Sequence, residues 1–127
     1  MAIRPQKKVL AIDLDGTYCT HSAEAEIGRP IDGMIDLCRA LKSLDWIVVI
    51  WTVRQDTPEL RKQLLIRELV YDYINENPFG PSNGSNKIYA DVYLDDRGFR
   101  FTGDSRGLLE QILNFKPWHK QEPPWNE

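Results

Sequence analysis

The stretch Val9-Leu10-Ala11-Ile12-Asp13-Leu14-Asp15-Gly16-Thr17 decides the fold of this chain. Residues 9–14 are almost continuously apolar, which is typical of a parallel strand that is buried on both faces. Asp13 and Asp15 lie two residues apart, so a pleated strand directs both side chains to the same side. Two carboxylates held this close either disfavour each other's ionisation or bind a cation, and Mg²⁺ prefers oxygen ligands of this kind. Gly16 permits a sharp turn directly after the strand.

The composition is that of a small globular protein. The chain has 127 residues, of which 42% are hydrophobic and 28% are charged, and this length predicts a single domain. We expect its core at about residues 8–115, with residues 116–127 as a surface or flexible tail. The net charge of −3 argues against non-specific nucleic-acid binding through the whole surface.

The chain is expected to be cytoplasmic. Cys19 and Cys38 form no disulfide framework and no metal-binding spacing, so they are interpreted as reduced thiols. The first residues lack the apolar segment of a secretion signal, and no apolar stretch is long enough to span a bilayer.

Apolar runs alternate with helical patterns along the chain, which favours an α/β fold with a parallel sheet. The predicted strands lie at residues 9–14, 46–51, 71–74 and 90–94. Helices are expected to open at Pro30, at Thr57 with Pro58 as its first residue, and after Asp104 as a capping residue. Two segments predict irregular structure, namely a short polar flap at residues 18–29 and a loop at residues 75–86.

Polar side chains follow three of these strands. Asp13 and Asp15 follow the first strand, Thr52 follows the second, and Asp95 and Asp96 end the last. Lys87 lies just before that last strand. In an open α/β sheet the carboxyl ends of the strands line one crevice, which is where ligands bind. These residues, although distant in sequence, are therefore expected to meet at one edge of the sheet.

The order of these motifs resembles the haloacid dehalogenase superfamily of phosphotransferases. The resemblance rests on Asp13-x-Asp15-Gly16-Thr17, Thr52, Lys87 and Asp95-Asp96, and it covers about residues 8–96. It implies a three-layer, Rossmann-like core with helices on both faces of a parallel sheet. It also implies a Mg²⁺-dependent phosphomonoester hydrolase that works through an aspartyl-phosphate.

The same resemblance implies four catalytic roles. Asp13 would be the nucleophile, and Asp15 would protonate the leaving alkoxide and later deprotonate the attacking water. The Thr52 hydroxyl would bind the transferring phosphoryl group, and Lys87 would offset the repulsion between phosphate and nucleophile. Because Asp15 is present, hydrolysis is favoured over the reactions of superfamily members that lack the second acid.

The implied ligands of the metal and the substrate come from the same segments. Mg²⁺ would be bound by Asp13, Asp95, Asp96 directly or through water, and the main-chain carbonyl of Asp15. The residues expected to contact the substrate are Gly16, Thr17, the backbone N–H of Val53, and Arg54. Arg54 has two interpretations, because it could bind a phosphate through its fork or serve as a surface ion-pair partner.

Some residues outside these motifs have plainer interpretations. Arg97 follows the acid pair and could simply balance it, and His21 and His119 are interpreted as incidental. Trp118 is expected to cover apolar surface. The Thr-x-Arg and Asp-Asp-Arg runs are also similar to the phosphatase domain of phage-type polynucleotide kinases.

Only the short segment 18–29 separates the first motif from its helix, and the interval from Thr52 to Lys87 is already occupied by a helix and a loop. Neither interval holds a folded cap domain, so the crevice is expected to be open. An open site suits a bulky phosphorylated substrate, such as a nucleotide, a polynucleotide end or a phosphoprotein, or a site covered by a second subunit.

The same motifs allow two alternatives to a phosphatase. The first is a regulatory module that binds phosphate and metal without turnover. The second, a response-regulator receiver domain, is set aside because its phosphorylated aspartate follows the third strand.

Overall fold

The computed structural model describes residues 7–80 and 86–121. It shows an α/β protein with a four-stranded sheet in which every strand pair is parallel, as the sequence predicts. The strands are β1 (Val9–Ile12), β2 (Ile47–Ile50), β3 (Tyr73–Ile74) and β4 (Val92–Leu94). The helices are α1 (Met34–Ser43), α2 (Pro58–Ile66), α3 (Leu108–Leu113) and a 3₁₀ helix at Trp118–Lys120.

The order of strands is β3-β2-β1-β4, which places β1 inside the sheet between two neighbours. Ile12, the last residue of β1, pairs with Ile50 of β2 and with Leu94 of β4. The three strands therefore end at the same level. The residues that follow them emerge along one edge of the sheet, as expected for a parallel α/β arrangement.

Alternate residues of β1 point into two separate apolar clusters, which explains why the strand lacks polar positions. Leu10 and Ile12 belong to the larger cluster, together with Cys38 of α1 and Leu60 and Leu64 of α2. Val9 belongs to a smaller cluster on the other side.

The segment after β1 is more buried than its polar composition suggests. Tyr18, Cys19 and Ile27 are buried in the larger cluster, although the sequence predicts a polar flap over residues 18–29. The Tyr18 hydroxyl donates to the carbonyl of Val70 and accepts from its N–H, at 2.9 and 3.0 Å. The segment is thus anchored to the chain that leads into β3, and only part of it lies at the surface.

Two of the three expected helix starts are wrong. The first helix begins at Met34 rather than Pro30, because Gly33 adopts a left-handed conformation at its N-cap and Pro30 pairs with Cys19. Gly107, also left-handed, is the N-cap of α3 in place of Asp104. The Asp104 carboxylate instead accepts hydrogen bonds from Arg106.

The start of α2 agrees with the sequence. The Thr57 side chain accepts a hydrogen bond from the Leu60 N–H at 3.1 Å, and Pro58 is the first helical residue. This is the arrangement that a threonine followed by proline predicts.

Helix α3 buries none of its residues, and no Cα atom of α3 lies within 8 Å of a Cα in another helix or strand. Leu109 and Leu113 are 73% and 74% exposed.

The chain after α3 divides into two parts. Residues 116–121 return to the sheet edge, where Pro117 is buried, whereas residues 122–127 of the expected tail lie outside the described residues. Residues 81–85 of the expected loop also lie outside them. None of the helices in the described part has the length and apolar character needed to cross a lipid bilayer.

Candidate active site

The ends of β1 and β4 bring three acidic side chains together. The Asp13 N–H donates to the Leu94 carbonyl at 3.0 Å, which continues the strand ladder and places Asp13 beside the start of the Asp95-Asp96 pair. One carboxylate oxygen from each of Asp13, Asp95 and Asp96 lies within 4.8 Å of the others. We call these three residues the aspartate trio. Their oxygens are close enough to share one cation.

The aspartate trio opens into a cavity of about 370 Å³ at the carboxyl edge of the sheet. Residues from each of the segments that follow β1, β2 and β4 line the cavity. Its lining residues are Asp13, Asp15, His21, Ser22, Val53, Asp95, Asp96 and Arg97. The expected convergence of distant motifs at one edge is therefore present for the acidic residues and for Val53.

Asp13 lies in surroundings that disfavour its charge. Burial raises its pKa from 3.8 to about 7, and a hydrogen bond with Asp96 and the negative charges of Asp95 and Asp96 act in the same direction. A bound cation or a proton would compensate the charge of this carboxylate.

The pKa of Asp96 shifts in the opposite direction to that of Asp13, although only 3% of the Asp96 side chain is exposed. Burial acts to raise its pKa, but hydrogen bonds with His119, Asp13 and Asp95 outweigh burial and hold the pKa below its usual range. His119 Nε2 lies 2.7 Å from Asp96 Oδ2. An ionised carboxylate can only accept, so Nε2 is the donor in this bond.

Gly16 lies close to the contact between Asp96 and His119. Its φ of +91° is left-handed, and a Cβ atom at this position would lie 2.5 Å from Asp96 Oδ2 and 3.2 Å from His119 Nε2. Its carbonyl accepts a hydrogen bond from the Trp118 indole at 2.7 Å. Gly16 therefore has two roles. It permits the turn after β1, as expected, and its lack of a side chain lets Asp96 and the C-terminal segment lie close to that turn.

Thr17, expected to contact substrate, lies beside the proposed nucleophile. Its hydroxyl donates to Asp13 Oδ2 at 3.3 Å. In this arrangement the hydroxyl orients the Asp13 carboxylate.

Asp15 does not join the aspartate trio through its side chain. Arg54 donates from Nε to Asp15 Oδ2 at 2.7 Å and from Nη2 to Asp15 Oδ1 at 2.8 Å. The guanidinium also donates to the carbonyls of Ala25 and Ser22, at 3.0 and 3.1 Å. Arg54 thus forms an ion pair, which is one of its two expected roles. The pair is mostly buried beside the cavity rather than exposed at the surface.

Thr52 is buried, and it is not among the described residues that line the cavity. Its hydroxyl oxygen accepts from the Arg54 N–H at 3.1 Å, which closes a short turn around the exposed Val53. Asn75 supports both ends of this turn: its Oδ1 accepts from the Thr52 N–H at 2.8 Å, and its Nδ2 donates to the Arg54 carbonyl at 3.1 Å.

Lys87 is exposed, and it is not among the described residues that line the cavity. The next residue, Ile88, is buried against Val9 and Val49. This anchors the backbone near the sheet, and the expected role of Lys87 at the phosphate stays a prediction.

Sequence reasoning missed three residues of this site. His119, which the sequence suggests is incidental, contacts Asp96, and His21 lines the cavity and stacks on His119 with ring centroids 4.9 Å apart. The sequence places Asn75 only in a loop. Its φ of 52° lies in the left-handed region, which asparagine tolerates better than most residues, so an asparagine directly after a strand was a usable signal.

Comparison with known proteins adds a fold but no activity. No protein-family model and no curated protein sequence matches this chain. The chain is similar to the solved structure of a conserved protein from Bacteroides thetaiotaomicron, with a TM-score of 0.61 and 24% sequence identity. The similarity covers 90% of this chain and 96% of the other. At this identity it shows that the two proteins share a fold, and it assigns no function.

Proposed function

We propose that this protein is a metal-dependent phosphomonoester hydrolase in which Asp13 is the nucleophile. The observation that carries the proposal is the position of Asp13, which belongs to the aspartate trio and lines the same cavity as Asp15. The motif order supports a haloacid dehalogenase-like core of three layers without a cap domain. Residues 18–29 support the absence of a cap, because they contain no helix and only isolated bridges.

The donor set of the aspartate trio suits a hard divalent cation such as Mg²⁺. Three carboxylates supply oxygen ligands, and the negative charges of Asp95 and Asp96 act with burial to raise the pKa of Asp13. Asp13, Asp95 and Asp96 would hold the ion, with the Asp15 carbonyl as a further ligand. Bound Mg²⁺ would neutralise charge on the phosphoryl oxygens and on the nucleophile.

In the first half of the proposed reaction, a carboxylate oxygen of Asp13 attacks phosphorus and the bond to the leaving alkoxide breaks. The Thr17 hydroxyl fixes the orientation of Asp13 for this attack. Asp15 protonates the leaving oxygen. In the second half, Asp15 accepts a proton from water, which attacks the aspartyl-phosphate and releases inorganic phosphate.

Asp15 can perform these proton transfers only when one of its oxygens is free. Both oxygens are bound by Arg54 in the structure, so the guanidinium must move when substrate enters. A substrate phosphate is a suitable new partner for the guanidinium, since arginine binds phosphate and carboxylate with the same fork geometry. Arg54 would then leave Asp15 and bind the substrate in one motion.

The same ion pair favours a second candidate, a module that binds phosphate and metal without turnover. If Arg54 stays on Asp15, the general acid is blocked and only binding remains. Such a module would bind beryllofluoride or vanadate with Mg²⁺ and would hydrolyse no phosphomonoester in a panel of nucleotides, phosphorylated oligonucleotides, sugar phosphates and phosphopeptides.

Hydrolysis of an aryl phosphate in the presence of Mg²⁺ tests the proposal directly. We expect EDTA to abolish the activity and Asp13→Asn to lower kcat by about a thousandfold or more, because the nucleophile is lost. Asp36→Asn, the same change at an exposed position of α1, is the matched control and should leave kcat unchanged. Full activity of the Asp13→Asn variant would refute the assignment of the nucleophile.

A further inference from the structure

The described C-terminal segment, residues 116–121, returns to the aspartate trio and the chain around it and makes three contacts there. Trp118 donates its indole N–H to the Gly16 carbonyl at 2.7 Å, and His119 Nε2 lies 2.7 Å from Asp96 Oδ2. The His119 ring also stacks on His21, which lines the cavity. Pro117, directly before these residues, is buried. The segment is therefore fixed against the site by independent contacts.

His119 is the described side chain best placed to set the orientation of Asp96. Arg97, a second neighbour of Asp96, has its Nε 4.0 Å from the same oxygen and a side chain that is 55% exposed. The His119 side chain is only 13% exposed, and its ring is fixed by the stacking with His21. A short hydrogen bond from a fixed ring to a nearly buried carboxylate leaves that carboxylate little rotational freedom.

We propose that His119 is a positioning residue of the metal centre. By donating Nε2–H to Oδ2, it holds Asp96 in the orientation in which the aspartate trio binds a divalent cation. The inference rests on the metal site of the proposed function, but it assigns to that site a residue and a chain segment outside the motifs that suggested it. Residues that hydrogen-bond to metal ligands commonly change metal affinity by about 10- to 100-fold when they are replaced.

Calorimetric titration of the full chain with Mg²⁺ alone tests this role without requiring turnover. We expect His119→Ala to raise the Kd for Mg²⁺ by about 10- to 100-fold. His119→Gln, whose amide N–H can donate over a similar reach, should restore part of the affinity. Lys120→Ala is the matched control, because Lys120 is exposed on the same 3₁₀ helix, and its Kd should equal that of the wild type.

Activity provides a second measurement. If His119 acts through the metal centre, His119→Ala should regain most of its kcat when the Mg²⁺ concentration is raised well above the new Kd. A Kd for His119→Ala within twofold of the wild type would refute the proposal, as would equal weakening in the Ala and Gln variants. If His119→Ala does not fold, the shorter His119→Asn takes its place. Its Kd for Mg²⁺ is then compared with that of His119→Gln, and equal weakening in these two variants would refute the proposal.

The outcomes separate this inference from the proposed function. A wild-type chain that binds Mg²⁺ and hydrolyses nothing refutes the phosphatase, and the His119 variants still report on positioning. An active wild type with unchanged Mg²⁺ affinity in His119→Ala refutes only the role of His119. A wild type that binds no Mg²⁺ refutes both.

Discussion

Arg54 and Asp15 lie 39 residues apart in sequence and form a two-point ion pair in which both carboxylate oxygens accept from one guanidinium. Each side chain is only 16% exposed. The hydrogen bond to Asp15 raises the pKa of Arg54, against the effect of burial, so the guanidinium stays charged. The pair connects the turn after β1 to the turn after β2, and in the proposed reaction it opens before Asp15 transfers a proton.

Replacing Arg54 should affect both stability and turnover. Arg54→Ala leaves a mostly buried carboxylate without its donors, so we expect the free energy of unfolding to fall by about 2 kcal/mol. If Arg54 binds the substrate phosphate, KM should rise in the Ala variant, and Arg54→Lys should restore it incompletely because lysine lacks the fork. Denaturant unfolding and steady-state kinetics measure the two effects.

The Arg61–Asp56 pair provides the control for Arg54. It has the same two-point geometry, with both distances at 2.8 Å, but it joins Arg61 of α2 to a residue just before that helix, and both side chains are more exposed. Arg61→Ala should change stability much less than Arg54→Ala, because an exposed ion pair is screened by solvent, and it should leave KM unchanged. Equal effects of the two substitutions would contradict the special role of Arg54.

Metal binding should depend on pH through Asp13. In the metal-free protein its pKa is about 7, so below that value Asp13 is mostly protonated and a cation must displace the proton. The apparent affinity for Mg²⁺ should therefore rise with pH and level off above about 7, with a slope of about tenfold per pH unit on the acid side. Calorimetry in two buffers of different ionisation enthalpy should detect release of about one proton near pH 6 and almost none near pH 8.5. A pH-independent affinity across this range would contradict the burial of charge at Asp13.

Gly16 should tolerate no side chain. Gly16→Ala combines an unfavourable left-handed φ with a Cβ that would lie 2.5 Å from Asp96 Oδ2. Gly103 has a similar φ of +93° but no atom within 4 Å of an added Cβ, so Gly103→Ala reports the backbone cost alone, about 1–2 kcal/mol. We expect Gly16→Ala to cost more stability than Gly103→Ala and to weaken Mg²⁺ binding, which the control should leave intact. Thermal unfolding and Mg²⁺ titration make the comparison, and equal losses in both variants would argue against close packing at Gly16.

The two cysteines should be unreactive in the folded protein. Both are fully buried, and burial raises the pKa of the Cys19 thiol to about 11. At pH 8 only about one thousandth of Cys19 would be thiolate, which is the reactive form. Titration with a disulfide reagent should detect almost no thiol in the native protein and two after denaturation. Rapid reaction of either cysteine in the native state would contradict the burial of this cluster.

The sequence by itself determined the sheet and the meeting of the acidic motifs. The apolar run that ends at Leu14 is typical of a parallel strand buried on both faces, and parallel strands end at a common edge. Asp13 and Asp95 were therefore expected at the same edge, whereas their direct proximity follows from the pairing of β4 with β1. The start of α2 followed from Thr57 and Pro58 for an equally local reason.

The tertiary structure alone decided which side chains bind each other around that edge. Asp15 pairs with Arg54 and Asp96 with His119, and neither partner is specified by the periodicity of its own segment. Such pairs depend on the path of turns and of the C-terminal segment, and these are set by contacts such as that of Trp118 with Gly16. Periodic burial of apolar residues predicts helices and strands, whereas the direction of a polar side chain at a turn depends on backbone geometry that only the folded chain defines.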